Sequence, residues 1–213
     1  RVATKDTNTK VLYICDNVVP HEKRPGDLVF TRYAFNAGNY FIVQSDAVER
    51  DLLMLYPNAT HKKVAHPVYN IFGDLLEKEH ARQQLGIMEE HILLYFGYIR
   101  AYKGLHVMLE AMSKLVKELR VRLLVVGEFY DNKEKYMSQI RQLGLESHVT
   151  VNSDYVANDK VGVYFSAADV VMLPYISATQ SGIAQIAYNF NKPVIATNVG
   201  GLGEVVRDNV TGF

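Results

Sequence analysis

Two cations follow a short apolar run in Phe96-Gly97-Tyr98-Ile99-Arg100-Ala101-Tyr102-Lys103-Gly104. A strand ending at Gly97, a loop carrying Arg100 and Lys103 and a helix opening near Gly104 would set both at the carboxyl end of a parallel strand. Open α/β sheets bind their ligands at that edge. A guanidinium offers a fork of donors and an ammonium a mobile point charge, so the pair suits a diphosphate. Two solvated loop cations would look the same in sequence.

A second strand, Val170 to Leu173, runs into Pro174-Tyr175-Ile176-Ser177-Ala178-Thr179-Gln180-Ser181-Gly182-Ile183 and then a helix. Ser181 or Thr179 could cap that helix, leaving the amides of Ser181, Gly182 and Ile183 open to an anion, with the macrodipole adding to the attraction. An ordinary N-cap gives the same pattern. Two anion-competent loops on one sheet edge nevertheless favour a shared phosphate ligand. A third loop carries Gly200, Gly201 and Gly203, where backbone can approach a ligand closely, and Glu204, which could accept from sugar hydroxyls; a flexible turn before a helix is its other reading. Neither this loop nor Val126-Gly127-Glu128-Phe129 has the glycine spacing of a dinucleotide fingerprint. A nicotinamide-dependent oxidoreductase therefore falls behind, and no NAD binding is expected.

The elements that must position these loops alternate. Apolar, β-rich runs at Lys10–Cys15, Tyr40–Gln44, His91–Phe96, Val121–Val126, Val149–Val151, Val170–Leu173 and Pro193–Thr197 read as strands. Amphipathic stretches at Asp46–Leu55, Asp74–Leu85, Leu105–Leu115, Asp131–Leu143 and Ala157–Ala168 read as helices, the second ending at Gly86. The expected fold is α/β: a Rossmann-like, mainly parallel sheet with helices on both faces. The aperiodic stretch 64–73 reads as a linker. We divide the chain into 1–65, 66–80 (linker and first helix) and 81–213.

Composition narrows the function. In 213 residues, 48% hydrophobic, the 23 Lys and Arg balance the 23 Asp and Glu, so no global field points to nucleic acid. The single Cys15 lies in an apolar run, excludes an intrachain disulfide and fits a reducing cytoplasm. No apolar run is long enough to span a bilayer, and Arg1 to Lys10 shows no signal-peptide core. Both ends read as cut, so a fragment is expected. No Asp-x-Asp pair occurs, and no His/Cys/Asp cluster has metal-ligand spacing. No metal and no resident cofactor are expected.

Taken in order, Phe96-Gly97 with Lys103-Gly104, Val125-Val126-Gly127-Glu128, Ala168-Asp169, Pro193-Val194-Ile195-Ala196-Thr197 and Gly200-Gly201 with Glu204-Val205-Val206 resemble the donor domain of family 4 glycosyltransferases, retaining enzymes of the GT-B fold. Cys15-Asp16-Asn17, Pro20-His21-Glu22 and Phe41-Ile42-Val43-Gln44-Ser45 resemble the end of that family's acceptor domain. The resemblance implies transfer of a sugar, with retention, from a UDP- or GDP-linked donor to a glycan or lipid-linked acceptor. It assigns the donor diphosphate to Arg100, Lys103 and the backbone near Ser181, Gly182 and Ile183. It puts the base by Tyr155 and Val156, and Glu204 near the sugar and phosphates. Gly97, Glu128, Gly200 and Gly201 complete the expected donor site, and His21 is the acceptor-side polar group. A role in bacterial surface polysaccharide and peripheral contact with the inner membrane face are further implications.

The sequence departs from the family in two respects. The places of its two glutamates, counted back from Pro193, hold Ala178 and Ile186; Gln180 or Gln185 would supply a neutral ribose contact instead. Asp16 stands where similar proteins often have histidine. The rival expectation is a nucleotide-sugar-binding or scaffold module without turnover, and as a fragment the chain is expected to bind nucleotide but transfer poorly.

Overall fold

The computed structural model describes residues 8–22 and 24–213. Most of the polar lead therefore lies outside the described residues. Two all-parallel sheets form. The first is built from β1 (Leu12–Cys15), β2 (Tyr40–Val43) and β3 (His61–Lys63) in the order β1-β2-β3, with helices α1 (Asp27–Phe35) and α2 (Asp46–Leu55) in the connections. Both α1 and β3 are absent from the sequence-based reading. α1 buries no residue, so no periodic apolar face marks it. β3 is His-Lys-Lys, and its strand form comes from pairing with β2 rather than from its own residues.

The second sheet carries the main core. Its strands are β4 (His91–Phe96), β5 (Val121–Val126), β6 (Val149–Asn152), β7 (Val170–Leu173) and β8 (Val194–Ala196), in the order β6-β5-β4-β7-β8. The remaining helices are α3 (Lys78–Leu85), α4 (Leu105–Leu115), α5 (Lys133–Gln142), α6 (Asn158–Ala167), α7 (Gly182–Asn189) and α8 (Leu202–Val205). The expected Asp74–Leu85 helix is shorter by four residues at its start, because Glu77 is still extended.

Alternate residues of β4 point into two different cores, as strand pleating requires. Ile92 and Leu94 pack with Phe165 of α6 and Ala184, Ile186 and Ala187 of α7. Leu93 and Tyr95 pack with Leu105, Met108, Leu109 and Met112 of α4 and with Tyr136 and Ile140 of α5. Strands buried on both sides explain the near-continuous apolar runs. Strand order grows outward from β4 in one direction through β5 and β6, then in the other through β7 and β8. That reversal opens a crevice at the carboxyl ends of the strands.

Candidate functional site

The crevice holds a cavity of about 300 Å³. Phe96 and Gly97 at the end of β4, Gly127 and Glu128 after β5, and Asp154, Tyr155 and Val156 after β6 line it, together with Lys103 and with Ile183 and Ile186 of α7. Of the residues expected to bind a donor, it gathers Gly97, Lys103, Glu128, Tyr155, Val156 and Ile183. The rest of its wall includes Phe72, Tyr98, Asn158 and Val161. Asp154 lies in the segment 152–157 expected to contact the base, whereas Tyr98, just past the end of β4, and Asn158, the first residue of α6, were not singled out in the sequence.

Gly97 is the narrow point. With φ +101° it takes a conformation that side chains disfavour, and an added Cβ would stand 3.2 Å from Ile183 Cδ1 and 3.5 Å from Lys103 Nζ. The Lys103 ammonium therefore lies over bare backbone, beside the first turn of α7. Burial and then the Arg100 charge lower the Lys103 pKa to about 8. The ring centroid of the buried Tyr175 lies 5.7 Å from Nζ. A half-buried cation with no carboxylate within ion-pairing distance among the described residues, at the mouth of a largely apolar cavity, is suited to an incoming anion.

The start of α7 supplies further donors. Ser181 is its N-cap in extended geometry, but the buried side chain makes no capping bond to the helix. First-turn amides are thus left without a side-chain cap. Tyr69, from the stretch between the two sheets, packs its ring on Gly182: a Cβ there would meet Tyr69 Cε2 at 3.1 Å. The Tyr69 hydroxyl is 3.3 Å from His66 Nε2. Neither residue was anticipated.

Arg100 and His21 belong to a second cavity, of about 320 Å³, which they share with Asn17, Pro20, Glu22, Arg24, Asp27 and Tyr102. The Arg100 guanidinium donates to Glu22 Oε2 at 2.9 Å and lies 4.7 Å above the Tyr130 ring. His21 stacks on Tyr102 with centroids 4.8 Å apart, and its Nδ1 is 2.9 Å from Ser177 Oγ. Burial, opposed by Asp51 and Glu22, lowers the His21 pKa. The two loop cations read together as a clamp therefore face different spaces, Lys103 the crevice and Arg100 the acceptor-side loop.

Other expected residues join the two sheets. The Gln180 amide donates to Asp16 Oδ1 at 3.1 Å and to Gln44 Oε1 at 3.5 Å. Thr179 donates to Asn17 Oδ1, with the Asp16 carbonyl 3.2 Å away. Both Glu204 oxygens accept from the Asp46 amide, at 2.9 and 2.8 Å. Gly200, at φ +54°, lets its backbone lie against the Ala178 carbonyl, where a Cβ would fall 1.5 Å from the oxygen. Gly201 approaches Thr179 and Ser45. Gln185 is buried within α7 and does not line the crevice; the wall beside it is Ile183 and Ile186. Ala178 is buried in the core.

Three comparisons bear on this geometry. The sequence model of the family Glycosyl transferases group 1 matches residues 90–213. The lipopolysaccharide 1,2-N-acetylglucosaminetransferase of Salmonella typhimurium is 29% identical over 145 residues, covering 64% of this chain and 38% of that protein. Sucrose-phosphate synthase from Thermosynechococcus elongatus superposes on the whole chain with a TM-score of 0.83 at 22% identity, over 56% of its own length. Anabaena Alr3699/HepE in complex with UDP-glucose superposes on 96% of the chain with a TM-score of 0.82 at 21% identity, over 57% of its length. The fold is that of the GT-B glycosyltransferases. The chain spans roughly a third to just over half of the proteins it matches.

Proposed function

Because this chain belongs to the Glycosyl transferases group 1 family, matched over residues 90–213, we propose that its crevice binds the nucleotide diphosphate of a sugar donor and that the protein transfers that sugar. The observation that carries the reading is the Lys103 ammonium, held over Gly97 beside the uncapped first turn of α7. At that point a diphosphate meets an ammonium and backbone amides together. The nucleoside would extend from there along Ile183 and Ile186 toward Tyr155 and Val156. HepE, a structural neighbour, was solved with UDP-glucose, which favours a UDP-type donor.

The leaving group is a diphosphate, so the chemistry rests on stabilising charge that develops on its oxygens. Lys103 and the amides of Gly182 and Ile183 supply that stabilisation. With those groups in place the transfer needs no metal, consistent with the lack of an Asp-x-Asp pair. Retention of configuration, a glycan or lipid-linked acceptor, a place in bacterial surface polysaccharide and work at the inner face of the membrane follow from the same reading. No described helix is long and apolar enough to cross a membrane.

The test is turnover of a panel of UDP- and GDP-sugars, followed as release of free nucleotide, with NAD binding as the control. Release of UDP or GDP without NAD binding is expected. Nucleotide binding with no release across the panel would instead favour a binding module without turnover.

A further inference from the structure

Taking an ammonium out of water is costly unless something answers its charge. Half-buried Lys103 has no carboxylate to do so among the described residues. Arg100, on the same turn, repels it, and the carboxylates that line the same cavity, Glu128 and Asp154, stand beyond ion-pairing distance. What faces the ammonium instead is an aromatic ring. Tyr175, two residues past the end of β7, is buried, and its ring centroid lies 5.7 Å from Lys103 Nζ.

The fold brings the two together by design of its turns. β4 and β7 are neighbours in the sheet, so the segments that follow them lie side by side. Gly104 takes φ +70°, and a Cβ there would fall 1.8 Å from the Pro174 carbonyl oxygen; glycine lets the Lys103 turn press against the residue before Tyr175. The Ile176 amide donates to the Tyr102 carbonyl at 2.7 Å, and the Tyr175 carbonyl accepts from the Thr197 hydroxyl. The Tyr95 hydroxyl donates to the Lys103 carbonyl at 3.4 Å, and Tyr102 meets the Tyr175 ring nearly at right angles. Burial pushes the Tyr175 hydroxyl pKa up, so its ring stays neutral where Lys103 titrates.

The face of an aromatic ring carries the negative part of its quadrupole and attracts a cation within about 6 Å. A carboxylate in the same place would cancel the positive charge and would itself repel an incoming diphosphate. The ring does neither. We propose that Tyr175 is a positioning residue of the donor site, its ring face holding the Lys103 ammonium over Gly97, charged and unneutralised, for the diphosphate. Tyr175 acts through Lys103 and touches no reacting atom. The inference rests on the donor reading of the crevice, but the hold of the ring on the ammonium is measurable without a ligand.

The experiment compares Tyr175→Phe, which keeps the ring face, with the same chain carrying a trifluorinated phenylalanine in place of Tyr175. Fluorination keeps the shape and withdraws electron density from the face. NMR titration of the Lys103 side chain reads the hold in the free chain. Fluorination should move the loss of its proton about 0.5 pH units lower, equivalent to a roughly threefold weaker hold on the cation. Calorimetry at about pH 8.5 with UDP or GDP, whichever binds, should show roughly threefold lower affinity in the fluorinated chain. The two rings should bind alike in a Lys103→Ala background. A ring that served only packing would move neither reading. An unmoved titration, an unchanged affinity, or a loss of affinity that persists without Lys103 overturns the proposal. Failure of both UDP and GDP to bind, with the titration shifted as expected, overturns the donor reading beneath it.

Discussion

Lys103 carries its charge below about pH 8 and loses it above, because its amine is desolvated and stands near Arg100. Two consequences of opposite sign follow. Nucleotide binding relies on the protonated form, so affinity for UDP should fall as the pH rises from about 7 to about 9.5, and binding at the upper end should take up a proton. Stability moves the other way. Between about pH 8 and the ordinary lysine value of 10.5, the unfolded chain binds more protons at this site, so the folded form gains stability as pH rises through that window. Calorimetry in buffers of different ionisation enthalpy reads the first effect, and denaturant titration reads the second. A flat affinity across the range would contradict the placement of Lys103 on the anion. At this scale the sequence was informative about residue types and weak about partners. Lys103 and Gly97 were legible because a strand end, a glycine and a cation fall together. The Arg100–Glu22 pair was not, because its members are 78 positions apart and only the packing of one loop on another brings them together.

Elements were legible where their own residues supply the driving force. β4 and β5 are apolar on both faces and α4 has a clean buried stripe, so each was expected within a residue or two. β3 owes its form to pairing with β2 and α1 has no buried face, so local pattern reading passes over both. Glu204 shows the same limit in a functional candidate. Its sequence context, after a glycine-rich turn, suggests a sugar ligand, yet both of its oxygens accept from the amide of Asp46 at the start of α2. Ser45 caps that helix as well, accepting from the Val48 amide at 3.2 Å. A carboxylate at a helix N-terminus is favourable through both the orphan amide and the macrodipole. Glu204→Gln should therefore lower stability by about 0.3–1 kcal/mol in chemical denaturation, with most of the loss removed at high salt. No change in stability would show that the contact contributes nothing to joining the sheets.

At the scale of the whole molecule, two parallel sheets meet along a cleft whose facing loops are 16–22 and 44–46 on one side and 100–103, 177–182 and 198–204 on the other. The expected α/β architecture with helices on both faces is the one observed, because strands flanked by helical patterns leave few other arrangements. The contacts across the cleft were beyond reach of pattern reading, since they depend on how two separately folded sheets dock. Those contacts divide the work: Thr179, Gln180 and Glu204 hold the sheets together, and Lys103 with the start of α7 is left free for a ligand. The most direct test is calorimetric titration of UDP and GDP into this chain and into its Lys103→Ala variant at neutral pH. The account predicts that one nucleotide binds the unchanged chain and that the variant loses at least about tenfold in affinity, the scale of a lost charge-assisted bond to phosphate. Equal affinity of both proteins, or no binding of either nucleotide to the unchanged chain, would contradict it.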